Sequence, residues 1–338
     1  MTSSASLILH EWGSNMDSVT KTRLSSIQLA EMVKRAFGNS VIPEQTIELT
    51  DGFFNSAYML KLTNGVKTVL KVSPSREIKV MRYEKNIMHT EVHVLNKLFS
   101  LKSIPVPKIL YYDRSYDITE CEFFFMDFIE GIPLNKLRAE LSEAQYKSIN
   151  DEAGIYAKQI RSIESNYFGH ISQADKRFDS WGDAFICMIT DLLDDASSMH
   201  VVLPCSQQKI FDVVNKNRDI LNNVKTPSLI HKDLWEGNIF VDPSKFKITG
   251  FVDFERAIYG DPLLEPVCGF LLDSEEFMMN YLGKIDLDFE EKIRATLYKV
   301  YLFLLMVIEC PFRQYPGDNP DKWQREQLVL ALSEIIKL

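Results

Sequence analysis

The residues best suited to do chemistry lie in one loop and at one strand end shortly after it. Residues 231–238 read His-Lys-Asp-Leu-Trp-Glu-Gly-Asn, and residues 251–255 read Phe-Val-Asp-Phe-Glu. A His-x-Asp-x-x-x-x-Asn loop offers a carboxylate that can take a proton from an attacking hydroxyl and an amide that can hold a metal ion on nucleotide phosphates. These segments indicate a phosphoryl-transfer site with Asp233 as the base and with Asn238 and Asp253 as magnesium ligands.

The chain between Asn238 and Asp253 predicts a β-hairpin that brings these two side chains together. Apolar residues 239–241 are followed by the turn-prone Asp-Pro-Ser at 242–244 and by a second strand-like segment at 246–252. This is the order strand, tight turn, strand. Since a hairpin of this length returns the chain to its starting point, both side chains can share one magnesium ion.

A lysine in an earlier strand is the candidate phosphate contact. In the strand-like segment 66–72, Lys71 lies between Leu70 and Val72, as expected for one polar group projecting from a core strand. Two interpretations are open: Lys71 faces solvent, or it reaches the α and β phosphates of a nucleotide. The catalytic-loop pattern favours the phosphate contact.

Such a lysine usually needs a glutamate on the following helix to fix its position. The helix-favouring stretch at 77–99 contains two candidates, Glu84 and Glu91. They are seven residues apart, so on one continuous helix they lie near the same face.

The order of predicted elements places strands first and helices afterwards. The predicted elements are a helix at 25–37, strands at 46–49, 56–62, 66–72, 108–112 and 121–128, and a long helix at 77–99. The Gly-Ile-Pro at 131–133 breaks the pattern, and the rest is mainly helical. The sequence therefore predicts an α+β chain with an N-terminal lobe at 1–130, of which 1–20 is a loose polar leader, and a helical C-terminal lobe at 131–338.

Composition is that of an ordered globular protein. The chain has 338 residues, of which 46% are hydrophobic and 25% charged. Its five cysteines form no Cys-x-x-Cys pair, which argues against a disulfide framework or a zinc knuckle and favours a reducing cytoplasm. The longest apolar run, 300–308, is far shorter than the roughly twenty residues that span a bilayer. We expect no membrane partner and no export signal.

The formal net charge of −9 argues against nucleic acid as a partner and is compatible with a cationic small substrate. Acidic residues gather in the second half of the chain. They either form solvated helix faces or line an amine-binding cleft. The residues concerned are Asp191, Asp194, Asp195, Asp273, Glu275, Glu276, Asp286, Asp288, Glu290 and Glu291.

Two segments, 229–238 and 248–266, resemble the aminoglycoside phosphotransferase and choline kinase-like family, and the second contains Gly-Asp-Pro at 260–262. The resemblance extends over roughly residues 45 to 265. It implies a bilobal protein-kinase-like fold with a small N-terminal antiparallel β-sheet lobe and a larger, mainly helical C-terminal lobe that meet near 129–133.

The resemblance also implies the nucleotide-binding residues. It favours Glu91 over Glu84 as the partner of Lys71, because the family's glutamate lies about two turns before a Pro-x-Pro strand entry, here at 104–107. Glu84 is then a solvated or pairing residue. The phosphate-covering loop departs from the Gly-x-Gly-x-x-Gly of protein kinases in having a single glycine. The further implied contacts are Gly52, Asn55 and Ser56 with phosphate, and Met126 and Phe128 with the base.

The implied reaction transfers the γ-phosphoryl of ATP or GTP, with Mg²⁺, to a hydroxyl of a small acceptor in a cytoplasmic monomer or weak dimer. Acceptors in the family include aminoglycosides, macrolides, choline or ethanolamine, methylthioribose, homoserine and ketosamines. The acidity favours an aminoglycoside or another amine-bearing compound, and a role in antibiotic resistance or in metabolism stays open. A catalytically inactive nucleotide-binding protein is the alternative from another class. A protein kinase is disfavoured because Asp-Phe-Glu replaces Asp-Phe-Gly and no Ala-Pro-Glu follows.

Overall fold

The computed structural model describes residues 18–50, 52, 54–314 and 320–338, and it confirms the bilobal α+β class. The first lobe contains a five-stranded antiparallel sheet in the order β1-β2-β3-β5-β4. Its elements are α1 (Ser26–Phe37), β1 (Pro43–Leu49), β2 (Ser56–Leu62), β3 (Lys67–Val72), α2 (Ile87–Leu101), β4 (Ile109–Asp113) and β5 (Phe123–Asp127). The predicted strands are all present, with ends shifted by a few residues.

The predicted first helix forms because its start is capped and one face is apolar. The Ser25 side chain accepts a hydrogen bond from the Gln28 backbone N–H, and Gln28 reaches back to the Ser25 backbone in a capping box. Leu29, Met32 and Val33 are buried on the same face. They pack with residues of β2, β3 and β5 in a cluster that covers one side of the sheet.

The end of the predicted leader that the structure describes is packed, while residues 1–17 lie outside the described part. Ser18 and Thr20 are buried, and the Tyr58 hydroxyl donates to the Thr22 carbonyl at 3.3 Å. Val19 between them is exposed, so the loose leader does not describe Ser18 and Thr20 and otherwise stays a prediction.

The long helix predicted at 77–99 is wrong in its first half. The helix α2 begins only at Ile87, and Asn86 before it has a φ of +60°, which interrupts a right-handed helix. The burial of Met81 and Tyr83 in the core of the second lobe overrides local helix propensity. We call residues 73–86 the strap, because they connect β3 to α2 by crossing onto the helical lobe.

Several polar contacts hold the strap on that lobe. The Lys79 ammonium donates to the Ser198 carbonyl at 3.0 Å, and the Arg82 backbone N–H donates to Asp195 at 2.8 Å. The amide of Gln173 donates to strap carbonyls at 3.2 to 3.3 Å. The strap thus ties the sheet lobe to the helices.

The second lobe is mainly helical, with two small antiparallel sheets in the orders β11-β10-β6 and β8-β7-β12-β9. Its elements are β6 (Ile132–Pro133), α3 (Leu134–Leu137), α4 (Glu143–Arg161), β7 (Phe168–His170), β8 (Arg177–Phe178), α5 (Trp181–Ser198), α6 (Gln207–Lys216), α7 (Arg218–Leu221), β9 (Ser228–Ile230), β10 (Ile239–Asp242), β11 (Lys247–Phe251), β12 (Ile258–Gly260), α8 (Leu264–Cys268), α9 (Glu275–Leu282), α10 (Phe289–Arg313) and α11 (Lys322–Lys337).

The predicted hairpin after the catalytic-loop sequence is confirmed. Strands β10 and β11 pair antiparallel, with Ile239 opposite Phe251 and Asp242 opposite Lys247. By length and composition α10 could cross a bilayer, but 78% of its most apolar window is buried inside the protein. Burial of this extent is typical of the core helix of a globular domain.

Between the lobes, Gly131 adopts a conformation that side chains disfavour. Its φ is +138°, and a Cβ atom at this position would lie 2.9 Å from the Val241 carbonyl oxygen. The next residues form β6, which pairs with β10. We retain the division at 130/131 as a proposal.

Candidate phosphoryl-transfer site

Three elements bring their polar side chains together around one lysine. Lys71 lies in the central strand β3, and its ammonium is 2.6 Å from a Glu91 carboxylate oxygen and 2.7 Å from Asp253. Glu255 is 3.5 Å away. Glu91 projects from α2, while both other acids follow β11. The predicted pairing of Lys71 with Glu91 is present, and its role in nucleotide binding stays a prediction.

The charges in this cluster depend on one another. Burial disfavours the ammonium of Lys71, but Asp253, Glu91 and Glu255 outweigh it and raise its pKa. Burial raises the pKa of Glu91 to about 7 although Lys71 opposes this. Burial and the neighbouring Asp253 raise the pKa of Glu255 well above its usual range. Burial alone would raise the pKa of Asp253, but the nearby Lys71 has the larger effect, so the pKa of Asp253 is lowered.

The oxygen donors here suit a hard divalent cation. Carboxylate oxygens of Glu91, Asp253 and Glu255 lie within 4.8 Å of one another. The side-chain nitrogen of Asn238 donates to the Asp233 carbonyl at 2.8 Å, which leaves its amide oxygen available as a donor to a metal. Such a set of oxygens is what Mg²⁺ prefers. The Asn238 carbonyl accepts from the Val252 N–H at 3.2 Å, so the two predicted ligands lie on adjacent chain segments.

The loop that carries Asp233 is held from beneath by a buried carboxylate. Glu265 accepts hydrogen bonds from the backbone N–H groups of His231 at 2.5 Å and Lys232 at 3.0 Å. The ring Nε2 of His231 lies 2.8 Å from the Val252 carbonyl. Burial lowers the pKa of His231 to about 4, so the neutral ring braces the loop and donates to that carbonyl.

Two residues of the site, Lys232 beside Asp233 and Asp253, have a left-handed backbone conformation. Lys232 has a φ of +64° and Asp253 a φ of +69°, a region that residues with side chains rarely adopt. Residues in such conformations persist only where the surroundings fix them, and they concentrate at functional sites.

Asp233 has a cation close to its carboxylate. Arg256 Nε lies 3.9 Å from Asp233 Oδ2, and an Nη of the same guanidinium donates to Glu309 at 2.9 Å. Burial raises the pKa of Asp233 to about 7, and Arg256 acts in the opposite direction. A carboxylate with a pKa near neutrality is suited to accept and release a proton.

The same Glu309 links this charge pair to the first lobe. Glu309 accepts from the buried guanidinium of Arg313 at 2.8 Å, and Arg313 also pairs with Glu84 of the strap. The Arg313 guanidinium lies 4.7 Å from the centre of the Phe54 ring. The predicted pairing role of Glu84 is thus present, but its partner is in α10, and Glu84 does not share a helix face with Glu91.

The predicted phosphate-covering residues Asn55 and Ser56 lie beside the cluster. The Asn55 side-chain nitrogen donates to Glu255, and Ala57, the residue after Ser56, is opposite Lys71 in the sheet. Asn55 Oδ1 and the Ser56 hydroxyl are buried without a hydrogen-bond partner in the described part of the chain. Buried polar atoms without partners are rare in proteins, which makes these two atoms candidate partners of a polar ligand. Gly52, also predicted here, is exposed, and its contact with phosphate stays a prediction.

The residues predicted to surround the base lie at the end of β5. Met126 is buried, and its carbonyl accepts from the Thr68 hydroxyl at 2.6 Å. The Lys67 ammonium lies 3.6 Å from the centre of the Phe128 ring and 3.0 Å from Glu130. These contacts order the connection between the lobes, while contact with a base stays a prediction.

Three residues with clear roles in this geometry were missed from the sequence as site residues. Glu255 and Arg256 stand two and three positions after the predicted metal ligand Asp253, so the turn at Phe254–Arg256 could have drawn attention to them. Glu265 is separated from the loop by more than thirty residues and has no local signal. Only the fold reveals its contact.

The acidic residues of the second half form ion pairs and helix caps. Asp191 and Asp195 are buried and pair with Lys176 and Arg82, which contradicts their interpretation as solvated faces. Asp288 caps α10 through the Glu291 N–H. Glu276 pairs with Lys147 at 2.9 Å, and Glu291 with Lys284 at 2.6 Å. These contacts account for Asp191, Asp195, Glu276, Asp288 and Glu291, whereas Asp273, Glu275 and Asp286 are exposed, as expected of solvated faces.

Solved structures with this architecture are numerous. A putative fructosamine-3-kinase from Haemophilus somnus 129PT aligns with a TM-score of 0.67 at 16% identity over 91% of this chain and 96% of its own. A putative fructosamine-3-kinase from Thermobifida fusca aligns with a TM-score of 0.66 at 15% identity, over 92% of this chain and 99% of its own. A mutant of aminoglycoside phosphotransferase APH(4)-Ia, in a ternary complex with AMP-PNP and hygromycin B, aligns with a TM-score of 0.64 at 16% identity. The alignment covers 90% of this chain and 98% of that structure's chain. The fold is therefore that of the kinase-like phosphotransferases.

The sequence comparisons lead to the same class. The model of the phosphotransferase enzyme family matches residues 46–289, and the chain belongs to this family. Acyl-CoA dehydrogenase family member 11 from Homo sapiens and that from Pongo abelii are each 23% identical over 180 residues, which is 51% of this chain. The matched segment spans only 21% of the length of these two relatives.

Proposed function

We propose that this chain transfers the γ-phosphoryl group of ATP or GTP to a hydroxyl of a small molecule. The observation that carries the proposal is the meeting of Lys71, Glu91 and Asp253, from two lobes, next to the loop that bears Asp233. A lysine with a glutamate from the following helix and a metal-binding aspartate is the arrangement that phosphoryl transfer needs in this fold.

Nucleotide binding is the first step that these residues explain. Lys71, positioned by Glu91, would contact the α and β phosphates. The Ser56 hydroxyl and the Asn55 side chain would contact phosphate oxygens from the opposite side, which would provide partners for their orphan atoms. Asn238 and Asp253, with Glu255 as a third candidate, would hold Mg²⁺. When bound, magnesium supplies positive charge that neutralises the phosphate oxygens.

Asp233 would then receive the acceptor's proton. The acceptor oxygen forms a bond to the γ-phosphorus while the bond from that phosphorus to the bridging oxygen breaks, and the nucleoside diphosphate leaves. The hydroxyl proton moves to the Asp233 carboxylate. Positioning and charge neutralisation supply most of the acceleration in such reactions. The nearby guanidinium of Arg256 keeps a part of the Asp233 population ionised near neutral pH.

The acceptor class is the finer part of the proposal. Solved relatives contain streptomycin, gentamicin or hygromycin B, and others carry the name fructosamine-3-kinase, so amine-bearing and ketosamine acceptors belong in the first panel. Several of the acidic residues are occupied by ion pairs, which weakens the charge argument for an amine. The first panel should therefore also include acceptors with anionic groups. We further propose that the protein is a cytoplasmic monomer or weak dimer. The free cysteines favour the cytoplasm, and they do not bear on the number of subunits.

The test is a magnesium-dependent transfer assay with purified protein, ATP and GTP, and a panel of amine-bearing, ketosamine, macrolide and anionic hydroxyl compounds. Asp233→Ala should lower turnover by about three or more orders of magnitude while nucleotide binding stays nearly unchanged. Asp219→Ala, at an exposed position, is the matched control and should keep full activity. Turnover like that of the unmodified chain in Asp233→Ala would exclude the base assignment, and binding without any turnover would favour an inactive nucleotide-binding protein.

A further inference from the structure

A second concave site lies on the helical lobe. It is a groove of about 440 Å³ formed by the end of α4, the loop before β9, the segment after β12 and the start of α10. This volume is within the range of small-molecule sites. The charged residues that line it are Lys158, Arg161, Lys225, Arg294, Glu164 and Asp261.

The groove carries an excess of positive charge, whereas the whole chain has a net charge of −9. Arg294 is paired with Asp261 at 2.9 Å. Within the described residues, the other three cations of the groove have no carboxylate partner, and Lys225 donates only to the Asn222 carbonyl at 2.7 Å. The single remaining acid, Glu164, faces three cations. A groove with this excess attracts anions.

One of these cations also has an unused hydrogen-bond donor. The Nε of Arg161 is buried and has no hydrogen-bond partner in the described part of the structure. The Tyr281 ring, 5.1 Å from the guanidinium, holds the side chain in place. A buried donor without a partner is unusual in proteins, and a phosphate or carboxylate oxygen is the acceptor that suits a guanidinium best.

The groove is separate from the phosphoryl-transfer site. Strands β9 and β12 pair antiparallel, with Ser228 opposite Gly260 at the groove and Ile230 opposite Ile258 at the other end. Only this far end leads into the loop with His231 and Asp233. The groove residues Ser228 and Asp261 thus lie at the opposite end of the ladder from the chemistry.

We propose that this groove binds a small polyanion, carrying phosphate or carboxylate groups, independently of the nucleotide. The guanidinium of Arg161 and the ammonium groups of Lys158 and Lys225 would supply the main contacts. The proposal does not depend on the activity proposed above, since binding here requires neither Asp233 nor Lys71.

The experiment is calorimetric titration of the full chain with inorganic tripolyphosphate and, separately, with citrate, in magnesium-free buffer. The double variant Lys158→Gln/Arg161→Gln should bind at least about tenfold more weakly, because two cationic donors are lost. Lys225→Gln, on another segment, should weaken binding as well. Lys322→Gln/Lys337→Gln, which removes two exposed charges from α11, and Lys71→Met should bind like the unmodified chain.

The two probes distinguish a phosphate from a carboxylate preference, and tight binding of either one supports the proposal if it depends on the groove residues. Equal affinity of Lys158→Gln/Arg161→Gln and Lys322→Gln/Lys337→Gln would overturn it. So would loss of binding only in Lys71→Met, which would assign the anion to the nucleotide site, or failure of both anions to bind at millimolar concentration.

Discussion

The charge pair of Arg256 and Asp233 leads to a prediction about pH. Two opposing influences set the pKa of Asp233: burial raises it, to about 7 in total, and Arg256 lowers it. In Arg256→Gln only the guanidinium charge is lost, while a polar side chain remains near Glu309. The pKa of Asp233 should therefore rise further in this variant.

The magnitude follows from the distance of 3.9 Å between the two groups. Unit charges at this separation interact by about 1 kcal/mol in water and by about 4 kcal/mol at an effective dielectric constant of 20. The Asp233 side chain is 27% exposed, and Glu309 shares the guanidinium at 2.9 Å, so the lower part of this range applies. We expect about 1 to 2 kcal/mol, which is a rise in the pKa of about one unit.

The sign of the expected effect on catalysis follows from the proposed role of Asp233 as the base. A base must be ionised to accept a proton, so the rate rises with pH up to the pKa of Asp233 and then levels off. In Arg256→Gln this rise should move about one pH unit toward alkaline pH. At pH 6 the variant should be about tenfold slower for this reason alone, and at high pH this part of the loss should disappear.

The direct assay is carbon-13 NMR of chains labelled at the aspartate carboxyl carbon, which requires no acceptor. The Asp233 signal is assigned by its loss in Asp233→Asn and is followed through a pH titration. Arg218→Gln is the matched control, because it removes a half-exposed guanidinium that pairs with Asp183 in another part of the lobe. An unchanged or lowered pKa of Asp233 in Arg256→Gln would refute the reasoning.

Three further substitutions test the cluster and the loop. Asp253→Ala should abolish magnesium-dependent nucleotide binding in calorimetry, and retained binding would exclude its metal role. Glu91→Gln should weaken nucleotide binding or turnover by about tenfold, since Lys71 loses a charged partner at 2.6 Å, and an unchanged transfer assay would contradict this. Glu265→Gln should lower the free energy of unfolding by about 1 to 3 kcal/mol in chemical denaturation, while the control Glu275→Gln should have little effect.

The parts of the fold that were predictable have strong local signals. The capped helix at Ser26–Phe37 and the hairpin of β10 and β11 need only neighbouring residues to form. Short-range chemistry specifies these two features. The meeting of Lys71 and Glu91 was predicted from the family resemblance, which distinguished Glu91 from Glu84.

The conformation of the strap was not predictable because it depends on residues far away in the chain. Its sequence favours helix, but Met81 and Tyr83 gain more by burial in the core of the other lobe. The partner of Glu84 is Arg313, 229 positions later in the chain. No periodicity of the strap itself reports on a residue so distant.

The strap also connects the charge of the base to the contact between the lobes. Arg256 shares Glu309 with Arg313, and Arg313 is neutralised in turn by Glu84 of the strap. If the strap left the helical lobe, Glu84 would go with it, and Glu309 would be drawn toward the uncompensated Arg313 and away from Arg256. The field at Asp233 would then change although no residue next to it had moved away. We therefore expect the protonation of Asp233, the proposed base, to depend on the docking of the two lobes.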